Sequence, residues 1–103
     1  ARRAITRELV ALVARLHRAR SFHKDLYLCH VFVDLARIEA DPDDARLVLI
    51  DLHRLARHRA TSLRWQIKDL GQLLFSTFGV EGITGRDRLR FWRGYVRALP
   101  VRW

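Results

Sequence analysis

The sequence predicts a mainly α-helical domain carrying one small β-hairpin. Three stretches, residues 4–19, about 65–78 and about 84–99, repeat apolar side chains at three- and four-residue spacing, the period of a helix. Two short apolar runs, Val31-Phe32-Val33 and residues 46–50, flank the turn signal Asp41-Pro42-Asp43-Asp44, which reads as an antiparallel hairpin with a long connection. A further stretch fits neither pattern. Phe22-His23-Lys24-Asp25-Leu26-Tyr27-Leu28-Cys29-His30 crowds polar and reactive side chains between a helix and a strand, more than packing alone explains.

The chain's 103 residues, half of them apolar, suffice for one domain with a modest core. Charges interrupt every window long enough to span a membrane, and Ala1-Arg2-Arg3 lacks the apolar core of a signal peptide, so the expectation is a soluble chain. The single Cys29 allows no internal disulfide, fits a reducing cytoplasm, and is read as a small buried apolar residue with no activating base. The net charge of +9 lies at the two ends: residues 1–20 hold six arginines against Glu8, and residues 84–103 six against Asp87. Residues 21–50 instead hold six acids against three bases. Such a field favours anionic partners, although 18 arginines against Lys24 and Lys68 are equally read as codon composition.

In chain order, Ile5, Leu9, Leu12, Val13, Leu16 and Ala19 form the buried stripe of the first helix, and Ser21-Phe22 ends it. The hairpin would bring the polar stretch beside Asp51, which an apolar strand delivers at its exit. Residues 54–62 are basic and weakly periodic, a surface segment or irregular helix. Trp65, Ile67, Leu70, Leu73, Leu74, Phe75 and Phe78 surround the next helix, which should be buried on several sides and closed by Gly79. Thr84-Gly85-Arg86-Asp87 has capping-box form and opens the last helix, which Pro100 stops.

An Asp in a loop after a helix, with a second Asp at the end of a strand, is how kinase-type folds position a hydroxyl nucleophile and Mg²⁺. Four ordered segments sharpen this: His23-Lys24-Asp25-Leu26-Tyr27-Leu28-Cys29-His30, Leu49-Ile50-Asp51-Leu52-His53-Arg54, Leu63-Arg64-Trp65-Gln66-Ile67-Lys68-Asp69 and Gly82-Ile83-Thr84-Gly85-Arg86-Asp87. Together they resemble the lipopolysaccharide core heptose kinase family over nearly the whole chain. The resemblance implies the C-terminal lobe of a protein-kinase-like fold, with residues 22–30 as catalytic loop and 46–53 as the strand bearing the metal Asp. It implies ATP as donor, Mg²⁺ (or Mn²⁺) as cofactor and a lipopolysaccharide core glycolipid as acceptor. The place of action would be the inner face of the cytoplasmic membrane of a Gram-negative bacterium, with an anionic membrane surface as a further partner and no nucleic acid.

By the same resemblance Asp25 is the catalytic base, with His23 and Lys24 beside it in the loop and His23 supporting rather than reacting. Asp51 would hold the metal against the ATP phosphates. Asp69 would be a buried helical carboxylate accepting backbone N–H groups of the catalytic loop, the alternative being an exposed Asp paired with Lys68 or Arg64. His30 stands where most kinases place a metal-binding Asn. It is read either as a second metal ligand or, preferably, as a hydrogen-bond partner of Asp25, a phosphate or the loop backbone. Tyr27, where Ser/Thr protein kinases carry Lys, favours a small or glycan hydroxyl over a protein. No Gly-rich phosphate loop and no strand Lys with its helix Glu occurs in these residues, so the N-terminal lobe is expected to be missing and the isolated chain inactive. Three readings compete: a kinase for another sugar or small alcohol, a metal-dependent hydrolase using His23, Asp25, His30, Asp51 and His53, and a basic nucleic-acid-binding module.

Overall fold

The computed structural model describes residues 2–60 and 62–99. Helix α1 (Arg2–Arg18) buries Ala4, Val10, Val13, Ala14 and His17, one stripe at helical spacing. Its exit turns through Arg20, whose φ of 55° lies in the left-handed region. Strand β1 (Ser21–Phe22) follows, and then a 3₁₀ turn (Leu28–His30) leads into β2 (Val31–Val33).

The expected hairpin forms. β2 pairs antiparallel with β3 (Leu47–Leu49) in the register Val31↔Leu49, Phe32↔Val48 and Val33↔Leu47. Its connection is not irregular throughout, because it contains α2 (Leu35–Ala40), capped by the Asp34 side chain, which accepts the Arg37 N–H at 3.3 Å. Ile38 alone is buried there, packing with Ala4 and Ala45, and six residues with one buried position carry no readable period. A second departure lies in residues 54–62. They form a largely exposed surface segment with no helix up to residue 60, but within it β4 (Ala56–Arg57) pairs antiparallel with β1, Ser21↔Arg57 and Phe22↔Ala56. Phe22 of that pair is buried.

Helix α3 (Ser62–Thr77) ends before Gly79, whose φ of 81° suits a residue without a Cβ. Helix α4 (Gly85–Ala98) starts in the expected capping box: Thr84 Oγ1 accepts the Asp87 N–H, and the Asp87 carboxylate accepts the Thr84 N–H at 2.9 Å. That backbone bond, seconded by the Arg2 guanidinium at 2.6 Å, holds the Asp87 carboxyl below the usual carboxylate range. Pro100 lies outside the described residues. The helices α1 and α4 lie side by side, so close at Gly94 that a Cβ there would stand 3.1 Å from a Val10 methyl.

The main core gathers Val13 and Ala14 of α1, Leu26 of the loop, Leu73 of α3 and Tyr95 of α4. Contrary to expectation, α3 is not buried on several sides. Only Asp69 and Leu73 are buried, while Leu63, Ile67, Leu74, Phe75 and Phe78 are exposed, because no described element covers that face. Cys29 is likewise exposed rather than buried, since the 3₁₀ turn points it away from the core. A broad apolar groove of about 780 Å³ runs along α1, α3 and α4 past Leu9, Leu70 and Phe91, and neither Asp25 nor Asp51 lines it.

Candidate active site

One helix face builds the site. Asp69, Gln72 and Ser76 follow at three- and four-residue spacing along α3 and present a polar edge to the loop. Asp69 is completely buried and accepts the His23 N–H at 3.0 Å on one oxygen and the Lys24 N–H at 2.8 Å on the other. Gln72 Oε1 accepts the Leu26 N–H at 3.1 Å, and Ser76 Oγ the Leu28 N–H at 2.9 Å. Four loop amides are thus held by three side chains of one helix. A loop with no strand partner here would otherwise leave those donors unsatisfied. Lys24 has a φ of 72°, a left-handed value uncommon for a residue of its kind, and it lies in the turn whose two successive amides meet one carboxylate.

Behind Asp69 stands a second, buried row. His17 Nε2 lies 2.9 Å from the same carboxylate, His17 Nδ1 lies 2.8 Å from the Tyr95 hydroxyl, and that hydroxyl accepts from Gln66 Nε2 at 2.6 Å. A carboxylate only accepts, so Nε2 carries the His17 proton and Nδ1 receives the Tyr95 O–H. Every member is then satisfied. Burial pushes the Tyr95 phenol up to about 12, which keeps it the donor that Nδ1 requires.

His23, also fully buried, ties the two chemical segments together. Its Nε2 donates to the Ile50 carbonyl at 2.8 Å, so Nδ1 is free to accept the Asp25 N–H at 3.1 Å. Ile50 N–H in turn donates to the His30 carbonyl at 2.9 Å, carrying the β2–β3 ladder one residue further. Asp51 then leaves the strand with a left-handed φ of 61°. Both ring nitrogens of His23 are thus engaged with backbone groups of the two segments.

His30 joins the same two segments from the other side. Nδ1 donates to the Asp25 carbonyl at 2.8 Å, which leaves Nε2 facing Asp51 Oδ2 at 3.2 Å. Asp51 Oδ1 also contacts His53 Nδ1. Adjacent corners of an Mg²⁺ octahedron are about 3 Å apart for ligands at ~2.1 Å, so His30 Nε2 and Asp51 Oδ2 have the spacing of neighbouring ligands. A hydrogen bond to Asp25, a phosphate or the loop backbone was the preferred reading of His30; the structure gives the bond to the Asp25 carbonyl and also sets Nε2 beside the Asp51 carboxylate.

The Lys24 ammonium sits 4.4 Å above the Trp65 ring, and the cation at Asp25 is Arg54, with Nη1 donating to Oδ1 at 2.8 Å. The five-residue metal cluster of the hydrolase reading does not assemble. Among the described residues no three of His, Cys, Asp and Glu converge on one metal position; both His23 ring nitrogens bond backbone groups, and the Asp25 carboxylate meets Arg54. Sequence reasoning missed His17, Gln66, Gln72, Ser76, Arg54 and Tyr95. A signal for part of this set was present: Asp69, Gln72 and Ser76 stand at three- and four-residue spacing on one stripe of the helix.

A helical lobe in which a buried helical carboxylate supports a catalytic loop, with a second Asp at a strand end beside it, is the C-terminal lobe of a protein-kinase-like fold. Residues 1–95 match the model of the lipopolysaccharide kinase (Kdo/WaaP) family, and the chain belongs to that family. It is 42% identical over 101 residues to the lipopolysaccharide core heptose(I) kinase WaaP of Pseudomonas aeruginosa, and 33% identical over 101 residues to that of Escherichia coli K12. Each match takes in 98% of this chain and 37% of the relative, so the chain spans little more than a third of the curated relatives' length. A solved structure of WaaP in complex with acyl carrier protein superposes with a TM-score of 0.81 at 42% identity, covering 93% of this chain and 39% of that one.

Proposed function

We propose that this chain is the catalytic lobe of an ATP-dependent kinase that phosphorylates a heptose hydroxyl of the lipopolysaccharide inner core. The observation carrying the proposal is the double tie between the loop and the strand end. His23 and His30 each bond Asp25's backbone while reaching Ile50 or Asp51, which fixes the two carboxylates relative to each other. Asp25 would accept the proton of the attacking sugar hydroxyl as its oxygen bonds the γ-phosphorus and ADP departs. Its carboxylate is partly exposed, as a group serving an incoming acceptor must be. Asp51, with His30 beside it, would hold Mg²⁺ or Mn²⁺, which supplies neutralisation of the phosphate charge. Asp69, Gln72 and Ser76 keep the loop in place, so that no reorganisation is needed when the acceptor arrives.

The site of action in this reading is the inner face of the cytoplasmic membrane. Arg3, Arg7, Arg86, Arg90, Arg93 and Arg97 line one groove between α1 and α4, a charge distribution suited to an anionic lipid surface. An acyl carrier protein, the partner in the WaaP complex, is a proposed partner here as well. The test is a pair of variants in the full-length protein. Asp25→Asn should lower transfer roughly 10²–10⁴-fold while Mg-ATP affinity holds, and Asp51→Asn should weaken Mg-ATP binding too. Equal loss of nucleotide affinity in both would overturn the assignment.

A further inference from the structure

Arg54 follows Asp51 by three residues and stands on the proposed base. Its Nη1 donates to Asp25 Oδ1 at 2.8 Å, the two side chains being 44% and 18% exposed. Among the described residues this is the one ion pair Arg54 makes. One of five guanidinium N–H donors is thereby used, in a fork whose planar shape matches carboxylate and phosphate. The other cation of the loop, Lys24, is engaged with Trp65 and cannot share the task from there. An acceptor hydroxyl that reaches Asp25 therefore arrives beside a half-exposed guanidinium with donors to spare.

We infer that Arg54 binds an anionic group of the acceptor, a carboxylate or a phosphate close to the hydroxyl that Asp25 serves. In the absence of acceptor the guanidinium rests on Asp25. When the acceptor binds, its anion takes the remaining donors, so an acidic glycan is seated with its hydroxyl at the base and a neutral one is held poorly. Arg54 would thus read acceptor charge, a role distinct from proton transfer and from metal binding. The inference rests on Asp25 being the acceptor-facing base.

The experiment measures phosphate transfer from Mg-ATP by the full-length protein to three forms of one inner-core oligosaccharide: native, with carboxyl groups reduced to alcohols, and with phosphates removed. Wild-type protein should show a KM roughly 10- to 100-fold higher for whichever neutralised form lacks the recognised anion, as expected for loss of a charge-assisted hydrogen bond, with kcat changed less. The two arms identify carboxylate or phosphate as the source. Arg54→Gln should raise KM for the native acceptor by a similar factor and be indifferent to the neutralisation, while Arg54→Lys recovers part of the affinity and serves where the Gln variant fails to fold. Arg54→Gln remaining as sensitive as wild type to loss of the anion would overturn the inference, as would a wild type indifferent to both changes. Wild-type protein that binds Mg-ATP yet transfers nothing to the native core would overturn the heptose-kinase reading itself, and this inference with it.

Discussion

Replacing Asp69 with Ala removes the acceptor of three N–H groups at once: those of His23, Lys24 and the His17 ring. The carboxylate and both histidines are buried, so water cannot take its place at two of the three donors. Each stranded buried donor costs ~1–3 kcal/mol. Breaking a buried charged network by deleting one partner costs about 3–5 kcal/mol, and the two routes agree near that range. In a protein above about 150 residues each kcal/mol lowers Tm by roughly 2–4 °C, which gives a drop of about 6–20 °C. The assay is thermal and urea denaturation of full-length wild type, Asp69→Ala and Asp69→Asn, with amide hydrogen exchange read at residues 23 and 24. Asp69→Asn keeps one oxygen but turns an N–H₂ toward a donor, and should fall between the other two. Exchange at those amides should quicken in Asp69→Ala well beyond the change at β2. A variant melting within about 1 °C of wild type would refute the reasoning, because two buried donors left unsatisfied cannot cost so little.

Three further expectations concern neighbouring groups. The Tyr95 phenol, raised to about 12 by burial, keeps in the folded state a proton that the unfolded chain gives up near 10. Its contribution is complete below pH 10 and is lost as pH climbs from 10 through 12, so wild type should lose ~2–3 kcal/mol more than Tyr95→Phe between pH 9.5 and 12 in urea melts, and parallel curves would count against the buried row. His30→Asn keeps a donor for the Asp25 carbonyl and an acceptor beside Asp51, so the ratio of Mg²⁺- to Mn²⁺-supported rates should shift less than about fivefold; a swing beyond tenfold would mean that the imidazole binds metal directly. The 103-residue chain by itself has no Gly-rich phosphate loop, and calorimetric titration with Mg-ATP should show little heat, whereas tight saturable binding would place the nucleotide site elsewhere than Asp51.

The sequence by itself determined the helices, the hairpin and the chemical segments. Apolar period and capping signals act within one or two turns of chain, so α1, α3, α4 and the Thr84 capping box were legible to within a few residues. Asp25, Asp51 and Asp69 were singled out because ordered motifs set them in resembled surroundings, and the buried Asp69 accepts the His23 and Lys24 amides. Only the tertiary structure decided the rest. The β1–β4 pair joins residues more than thirty apart through two residues each, too short for any periodic trace. Whether α3 is enclosed depends on which elements reach its outer face, and a pattern of apolar residues records the capacity to be buried but not the partner. Side-chain destinations are equally non-local. Lys24 and Arg54 are both basic and near the site in sequence, yet the left-handed turn at Lys24 sends one to Trp65 while the turn after Asp51 brings the other to Asp25. His17, Gln66 and Tyr95 come from three helices and meet only because those helices pack, so their shared hydrogen bonds exist in the folded chain and have no signature along it.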